Sequence, residues 1–111
     1  MNISTLIKQG VLIVRLEGEL DMHVADEFRH TVDDALASSG AKNLLLNLKG
    51  VTFIDSSGLG VILGRYKKIT ALGGKMNAAN VRPQVARIFE FSGLPRIIRL
   101  CASESEALES L

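Results

Sequence analysis

Apolar and polar residues recur along the chain in a pattern that predicts strands and helices in turn. Two opening segments, Asn2 to Lys8 and Val11 to Glu17, have the composition of strands, and Gly10 between them favours a hairpin turn. In the second segment both alternating sets of positions are mostly apolar, so we expect this strand to be covered on both faces.

Two longer segments have the spacing of amphipathic helices. From Ala25 to Ala37 apolar residues recur every three or four positions, and Ser38-Ser39-Gly40 predicts the end of this helix. A second helix is predicted from about Ser57 to Leu72, with Gly73-Gly74 as its stop. Between the two helices, the short apolar run Leu44 to Leu48 predicts a buried central strand.

The rest of the chain continues this alternation. Lys75 to Ala79 predicts a short strand, Pro83 suits the first turn of a helix, and Gly93 is its predicted end. Ile97 to Leu100 predicts a last strand, and Ser103-Glu104-Ser105-Glu106 has the form of a capping box that opens a C-terminal helix. Strands that alternate with helices after an opening hairpin predict an α/β fold, with a mixed sheet of four to five strands and about four helices.

Composition narrows the possible functions. The 111 residues, 47% of them hydrophobic, suit one domain spanning 1–111, and the net charge of +1 without a basic run argues against nucleic-acid binding. One cysteine and two histidines are too few for a disulfide or a structural zinc site. No apolar run approaches the ~20 residues of a membrane span, and no signal peptide is evident. We expect a cytoplasmic protein without metal, cofactor or membrane contact.

The segment Asp55-Ser56-Ser57-Gly58 follows the central strand and opens the second helix. Binding sites of α/β sheets usually lie beyond the carboxyl ends of such strands. The two serines are placed where the helix N-cap is expected, so one role for either hydroxyl is to cap a free backbone N–H. Asp55 also suits this position because the helix dipole favours negative charge there.

The glycines near this segment do not match a nucleotide-binding motif. Gly58, Gly60 and Gly64 have a spacing one residue too long for the dinucleotide fingerprint, and Gly64 is followed by Arg65-Tyr66 rather than the Lys-Ser or Lys-Thr of a P-loop. Each glycine inside a helix costs about 1 kcal/mol relative to alanine. For Gly64 we expect close packing of the helix on the sheet as the reason.

A hydrolytic role for the serines has little support. Neither Ser56 nor Ser57 stands in the G-x-S-x-G pattern of a nucleophile elbow. His23 could serve as a base only if its loop lies beside Ser56, and His30 belongs to the charged outer side of its helix. We therefore expect a binding protein rather than an enzyme, with a small nucleotide-binding or hydrolytic enzyme as the alternative.

A phosphoryl group at this position would act on partners rather than on the fold. It gains about 0.3 to 1 kcal/mol from the helix dipole, and neighbouring Asp55 opposes part of this gain. When the phosphoryl group faces one partner carboxylate at ~4 Å, each unit of its charge contributes ~4 kcal/mol of repulsion at an effective dielectric constant of about 20. Since roughly 1.4 kcal/mol is tenfold in affinity, phosphorylation here can abolish binding without moving the backbone.

Three sequence blocks carry a family resemblance. They are Leu16-Glu17-Gly18-Glu19-Leu20-Asp21, the segment from Phe53 to Lys67, and a later block with Arg87-Ile88-Phe89, Ser92-Gly93-Leu94 and Ile97-Ile98-Arg99. Over nearly its whole length the chain resembles the sulfate-transporter and anti-sigma-antagonist (STAS) domains. Within them it is most similar to the sporulation anti-sigma factor antagonists.

The resemblance implies a phosphorylation switch at Ser56, the first serine of the family's D-S-S-G motif. It implies that the anti-sigma factor, a serine kinase with bound ADP or ATP, phosphorylates this serine, and that a serine phosphatase reverses the reaction. The unphosphorylated antagonist then binds the kinase and frees the sigma factor. The implied partner-binding residues are Asp21, His23, Asp55, Ser57, Gly58, Leu59 and Gly60. A STAS switch or scaffold of another stress or signalling circuit is the alternative to sporulation control.

Overall fold

Five strands form one sheet in which chain order and spatial order are the same. A computed structural model describes residues 1–111. Strand β1 is antiparallel to β2, and the pairs β2–β3, β3–β4 and β4–β5 are parallel. The elements are β1 (Asn2–Lys8), β2 (Val11–Leu20), α1 (Ala25–Ser39), β3 (Asn43–Ile54), α2 (Ser56–Ala71), β4 (Met76–Ala79), α3 (Pro83–Ser92), a 3₁₀ turn (Leu94–Arg96), β5 (Arg99–Cys101) and α4 (Glu104–Glu109). The predicted α/β fold with a mixed sheet and four helices is confirmed.

The opening hairpin turns through two residues with left-handed backbones. Gln9 has φ 55° and Gly10 has φ 75°, which is the geometry that matches the twist of two antiparallel strands. Beyond the turn, the side chains from Val11 to Val14 are all buried, at 3% exposure or less. The prediction that β2 is covered on both faces is therefore confirmed for its first half.

The two faces of the sheet have cores of different size. The larger core joins strand residues such as Leu12 and Leu46 to Phe28 of α1, Ile62 of α2 and Phe89 of α3. The smaller core lies on the opposite face, where α4 covers a cluster formed by Val11, Ile13, Leu45, Ala79, Cys101 and Ala107. Because α4 has only six residues, the part of this face near the carboxyl ends of β2 and β3 stays exposed.

Strand β3 is longer than the sequence pattern predicted. The apolar run ends at Leu48, yet pairing with β2 continues to Ile54 through two shifts in register, the first at Lys49 and Gly50 and the second between Val51 and Phe53. Lys49 and Gly50 interrupt the hydrophobic pattern without ending the backbone ladder, and Val51 beyond them is fully buried. The link expected after Leu48 is therefore strand, and the chain passes from β3 into α2 through Asp55 alone.

The last strand is also displaced from its predicted position. It spans Arg99–Cys101 rather than Ile97 to Leu100, because the residues after Gly93 form a 3₁₀ turn that places Ile98 in the larger core. Helices α1 and α3 end as predicted, at Gly40 and Gly93 with φ 70° and 80°. None of the helices is long and apolar enough to cross a membrane.

The expected close packing at Gly64 is wrong. A Cβ atom built at Gly64 meets no other atom within 4 Å, and the same is true at Gly60. The tight contact is at Gly58, where a Cβ atom would overlap the carbonyl oxygen of Leu20 and lie 2.9 Å from Cγ2 of Ile54. Of the three glycines in α2, the one that the packing requires is therefore Gly58, at the first turn.

Candidate functional site

Asp55 is the N-cap residue of α2, and its carboxylate joins two segments of the chain. Oδ1 accepts a hydrogen bond from the backbone N–H of Gly58 at 2.9 Å, and Oδ2 accepts one from the N–H of Met22 at 3.1 Å. The backbone N–H of Asp55 donates to the carbonyl oxygen of Leu20 at 3.3 Å. One residue thus holds the β2–α1 loop against the start of α2.

The two serines are helical residues rather than the cap. Ser56 and Ser57 are the first two residues of α2, so the expectation that a serine hydroxyl caps this helix is wrong. Asp55 takes that role because its carboxylate forms a charge-assisted bond to the amide at the third helical position. Neither serine hydroxyl makes a hydrogen bond within the protein, and the side chain of Ser56 is exposed.

Asp21 organises the neighbouring loop. Its Oδ1 accepts a hydrogen bond from the backbone N–H of His23 at 2.9 Å, and its carbonyl oxygen accepts from Val24 and Ala25 at 3.2 and 3.0 Å. The carboxylates of Asp21 and Asp55 therefore bind two successive backbone N–H groups. This arrangement brings the G-E-L-D and D-S-S-G motifs together at one end of the sheet, which we call the Ser56 end.

Leu59, Gly60 and the side chain of His23 complete the Ser56 end. Leu59 is partly buried and packs against the larger core, whereas Gly60 faces solvent. His23 is exposed, and its imidazole forms no hydrogen bond with Ser56 or Ser57. The structure therefore contains no serine–histidine pair of the kind that activates a nucleophile.

Acidic groups dominate the charge at the Ser56 end. None of the five ion pairs of the protein involves Asp21 or Asp55, so no lysine or arginine of this chain neutralises them through a salt bridge. Glu19, near the end of β2, is exposed and is also outside these pairs. A phosphoryl group on Ser56 would add negative charge to a surface that is already acidic.

Two apolar side chains at the Ser56 end were not among the predicted site residues. Met22 is 69% exposed and Phe53 is 45% exposed, although both are large and hydrophobic. Met22 follows Asp21 in the β2–α1 loop, and Phe53 lies two residues before Asp55. The signal available in the sequence was a bulky apolar residue next to each of the two motifs.

Comparison with known proteins assigns this chain to a family. The model of the STAS domain matches residues 2–107. An anti-sigma F factor antagonist of Paenibacillus polymyxa is 48% identical over 103 residues, which are 93% of this chain and 88% of that protein. An anti-sigma-B factor antagonist of Bacillus subtilis (strain 168) is 33% identical over 111 residues, which are 98% of this chain and 100% of that protein.

Solved structures agree with the sequence comparison. The anti-sigma factor antagonist SpoIIAA in its unphosphorylated form superposes with a TM-score of 0.84 at 30% identity, covering 98% of this chain and 95% of that chain. The Bacillus cell fate determinant SpoIIAA in the phosphorylated form gives a TM-score of 0.76 at 29% identity, covering 98% of both chains. The chain belongs to the STAS domain family and is of the anti-sigma factor antagonist type.

Proposed function

We propose that phosphorylation of Ser56 decides whether this chain binds its anti-sigma factor. The observation that carries the proposal is the state of the Ser56 hydroxyl, which is exposed, makes no hydrogen bond, and stands at a helix start already capped by Asp55. A phosphoryl group can be added there without breaking a contact of the fold. Phosphorylation therefore leaves the fold unchanged and acts on the binding of the partner.

The charge of the Ser56 end supports a partner that is repelled after phosphorylation. Asp21 and Asp55 have no basic residue of this chain in a salt bridge with them, so an added phosphate would join carboxylates that are not paired within the chain. The helix dipole offers only a small compensation. The new charge thus faces outward, toward whatever is docked on the helix start, and at short range it outweighs a typical interface contact.

The proposed partners are an anti-sigma factor and a phosphatase. The anti-sigma factor is a serine kinase that holds ADP or ATP, binds the unphosphorylated chain and thereby releases its sigma factor. The phosphatase restores the binding form. The existence of SpoIIAA structures in an unphosphorylated and a phosphorylated form supports a cycle of this kind. The 48% identity to an anti-sigma F factor antagonist favours sporulation control over a stress circuit.

The proposed binding surface is the Ser56 end. It includes the residues Asp21, His23, Asp55, Ser57, Gly58, Leu59 and Gly60. Asp55 and Gly58 act by holding the first turn of α2 in place, whereas His23 and Gly60 are exposed for direct contact. The chain acts in the cytoplasm as a binding protein without catalytic activity of its own.

Phosphorylation by the cognate kinase tests the site. Incubation with the anti-sigma factor and ATP should add one phosphoryl group by intact-protein mass, and Ser56→Ala should prevent it. Ser57→Ala is the matched control, because it removes the adjacent hydroxyl and should leave the modification in place. Modification of the Ser56→Ala chain at Ser57 would overturn the choice of serine.

Binding of a charged variant tests the switch. Ser56→Asp should bind the anti-sigma factor much more weakly than the parent chain in a titration by calorimetry, while its thermal unfolding stays close to that of the parent. Equal affinity of Ser56→Asp and the parent would instead favour a constitutive STAS scaffold.

A further inference from the structure

A concave surface lies on the face of the sheet opposite α1, α2 and α3. It has a volume of about 370 Å³ and is formed by β2, β3 and the residue before α3, with Leu16 as the single apolar residue among the seven that line it. Sites for organic ligands are usually lined by apolar side chains. The polar lining here suits a small charged group instead.

A bulge in β3 builds the floor of this concavity. The register between β2 and β3 shifts from Arg15 opposite Asn47 to Glu17 opposite Gly50, so β3 contains an extra residue at this point. Gly50 is required there, because a Cβ atom would lie 2.8 Å from the backbone carbonyl oxygen of Leu16. Bulges are often found beside functional sites, where they redirect a side chain.

Two side chains hold the backbone of the bulge residue Lys49. Its N–H donates to Oδ1 of Asn47 at 3.0 Å, and its carbonyl oxygen accepts from Nε of Arg82 at 2.7 Å. The second bond anchors the Arg82 guanidinium at the edge of the concavity. It occupies Nε only, so the two Nη groups of Arg82 make no hydrogen bond or ion pair within the protein.

The cations that line the concavity differ in whether they already form an ion pair within the protein. Arg15 is engaged by Glu104, with Nε to Oε2 at 2.8 Å and Nη2 to Oε1 at 3.0 Å. Lys49 and Arg82 form no ion pair, even though Glu17 also lines the surface, since none of the salt bridges within 4.0 Å includes Glu17. Two cations therefore remain free in a site whose backbone is already ordered.

We propose that this concavity is an oxyanion site, in which a phosphate or carboxylate group binds between the Nη groups of Arg82 and the ammonium of Lys49. An anchored guanidinium whose two Nη amino groups are free has the geometry for two parallel hydrogen bonds to such an anion. The site is separate from the Ser56 end, because about 17 Å of strand lie between Lys49 and Ile54 at about 3.3 Å per residue. It does not depend on the proposed phosphorylation switch.

Titration with inorganic phosphate, followed by amide NMR at constant ionic strength and pH, tests the site. The amides of Lys49, Gly50 and Arg82 should shift with one saturable curve. Arg82→Gln and Lys49→Gln should each weaken this binding by about tenfold or more, as expected for loss of one charge-assisted contact. Arg87→Gln and Lys67→Gln are the matched controls, because each removes an exposed, unpaired cation elsewhere and should leave the curve unchanged.

The kind of anion is identified by parallel titrations with a phosphate monoester and with succinate. Tighter binding of the monoester indicates a phosphorylated ligand, and tighter binding of succinate indicates a carboxylate ligand. Arg82→Lys keeps the charge but loses the paired Nη donors of the guanidinium, so it should bind phosphate more weakly than the parent. The proposal is overturned by shifts that do not saturate, by equal losses in Arg82→Gln and Arg87→Gln, or by shifts centred on Ser56 and Ser57.

Discussion

The carboxylate of Asp55 accepts a hydrogen bond from the backbone N–H of Met22, 33 positions earlier in the chain, at 3.1 Å. The same carboxylate caps α2 through Gly58. Because one side chain serves both segments, the loop that carries Asp21 and the helix start that carries Ser56 keep a constant relative position. Any partner that contacts both motifs therefore depends on the carboxylate of Asp55.

Replacement of Asp55 by alanine should lower the stability of the fold. Loss of the N-cap costs about 1 kcal/mol, and loss of the bond to Met22 adds to it, so we expect a total of about 1 to 2 kcal/mol in the free energy of unfolding. Urea denaturation measures this change. Asp34→Ala removes an exposed carboxylate of α1 that forms no ion pair and is the control. Equal stability of the two variants would contradict the joining role of Asp55.

The glycines of α2 should respond in opposite directions to the same substitution. Gly64→Ala should raise the free energy of unfolding by about 0.5 to 1 kcal/mol, because the added methyl group meets no atom within 4 Å and alanine favours the helix. Gly58→Ala should lower it by about 1 to 3 kcal/mol through overlap with the Leu20 carbonyl. Thermal and urea unfolding of the two variants measure both changes. A stabilised Gly58→Ala chain would contradict the tight contact.

The pH dependence of stability should reflect Glu104 at the start of α4. The hydrogen bond from Arg15 is the main cause that lowers the pKa of Glu104 from 4.5 to about 2, and burial opposes it. Since the folded-state pKa is the lower one, Glu104 stabilises the fold above about pH 4.5, and this stabilisation is lost as the pH falls toward 2. Stability in urea, measured from pH 7 to pH 2, should fall more steeply for the parent than for Glu104→Gln.

A control for this titration lies in the same helix. Glu109 is exposed and forms no ion pair, so Glu109→Gln should keep the slope of the parent. If Glu104→Gln and Glu109→Gln gave the same pH profile, the contact between Arg15 and Glu104 would not contribute to stability in solution.

An ion pair between α1 and α2, in which the arginine is buried and the aspartate is partly exposed, gives a further prediction. Nε of Arg65 lies 3.1 Å from Oδ1 of Asp33, and burial lowers the pKa of the Arg65 guanidinium. Removal of the carboxylate leaves a buried charge without its partner, which is costlier than replacing the charge with an apolar group of similar length. Asp33→Asn should therefore destabilise the chain more than Arg65→Met in urea denaturation. The reverse order would show that the guanidinium is well solvated.

The order of elements was predictable from the sequence because hydrophobic period and turn residues report local structure. The extension of β3 was not, since the bulge at Lys49 and Gly50 is stabilised by pairing with β2, which is a contact distant in sequence. The buried charge of Arg65 was missed for a similar reason: its partner Asp33 belongs to another helix. The motifs around Asp21 and Asp55 were identified, but their shared contact with successive amides appears only in three dimensions.

Met22 and Phe53 should contribute to partner binding more than to the fold. Each is large, apolar and exposed, at 69% and 45%, and each adjoins a motif of the Ser56 end. Apolar anchors near the centre of an interface often cost 2 kcal/mol or more when truncated, whereas truncation of an exposed side chain usually changes stability by about 0.5 kcal/mol or less. Met22→Ala and Phe53→Ala should therefore weaken binding to the anti-sigma factor by about tenfold or more. Met22→Ala should leave thermal unfolding nearly unchanged, whereas Phe53→Ala should lower the unfolding temperature modestly, because more than half of the ring is buried.

Phe91 provides the matched control for this prediction. It is 94% exposed on α3 and is not part of either motif, so Phe91→Ala removes a phenyl group that is exposed on another element. Calorimetric titration of the three variants with the anti-sigma factor should separate Phe53→Ala from Phe91→Ala. Because both remove the same phenyl group, a difference in affinity reports position rather than hydrophobicity. Equal affinities would place the interface away from Phe53.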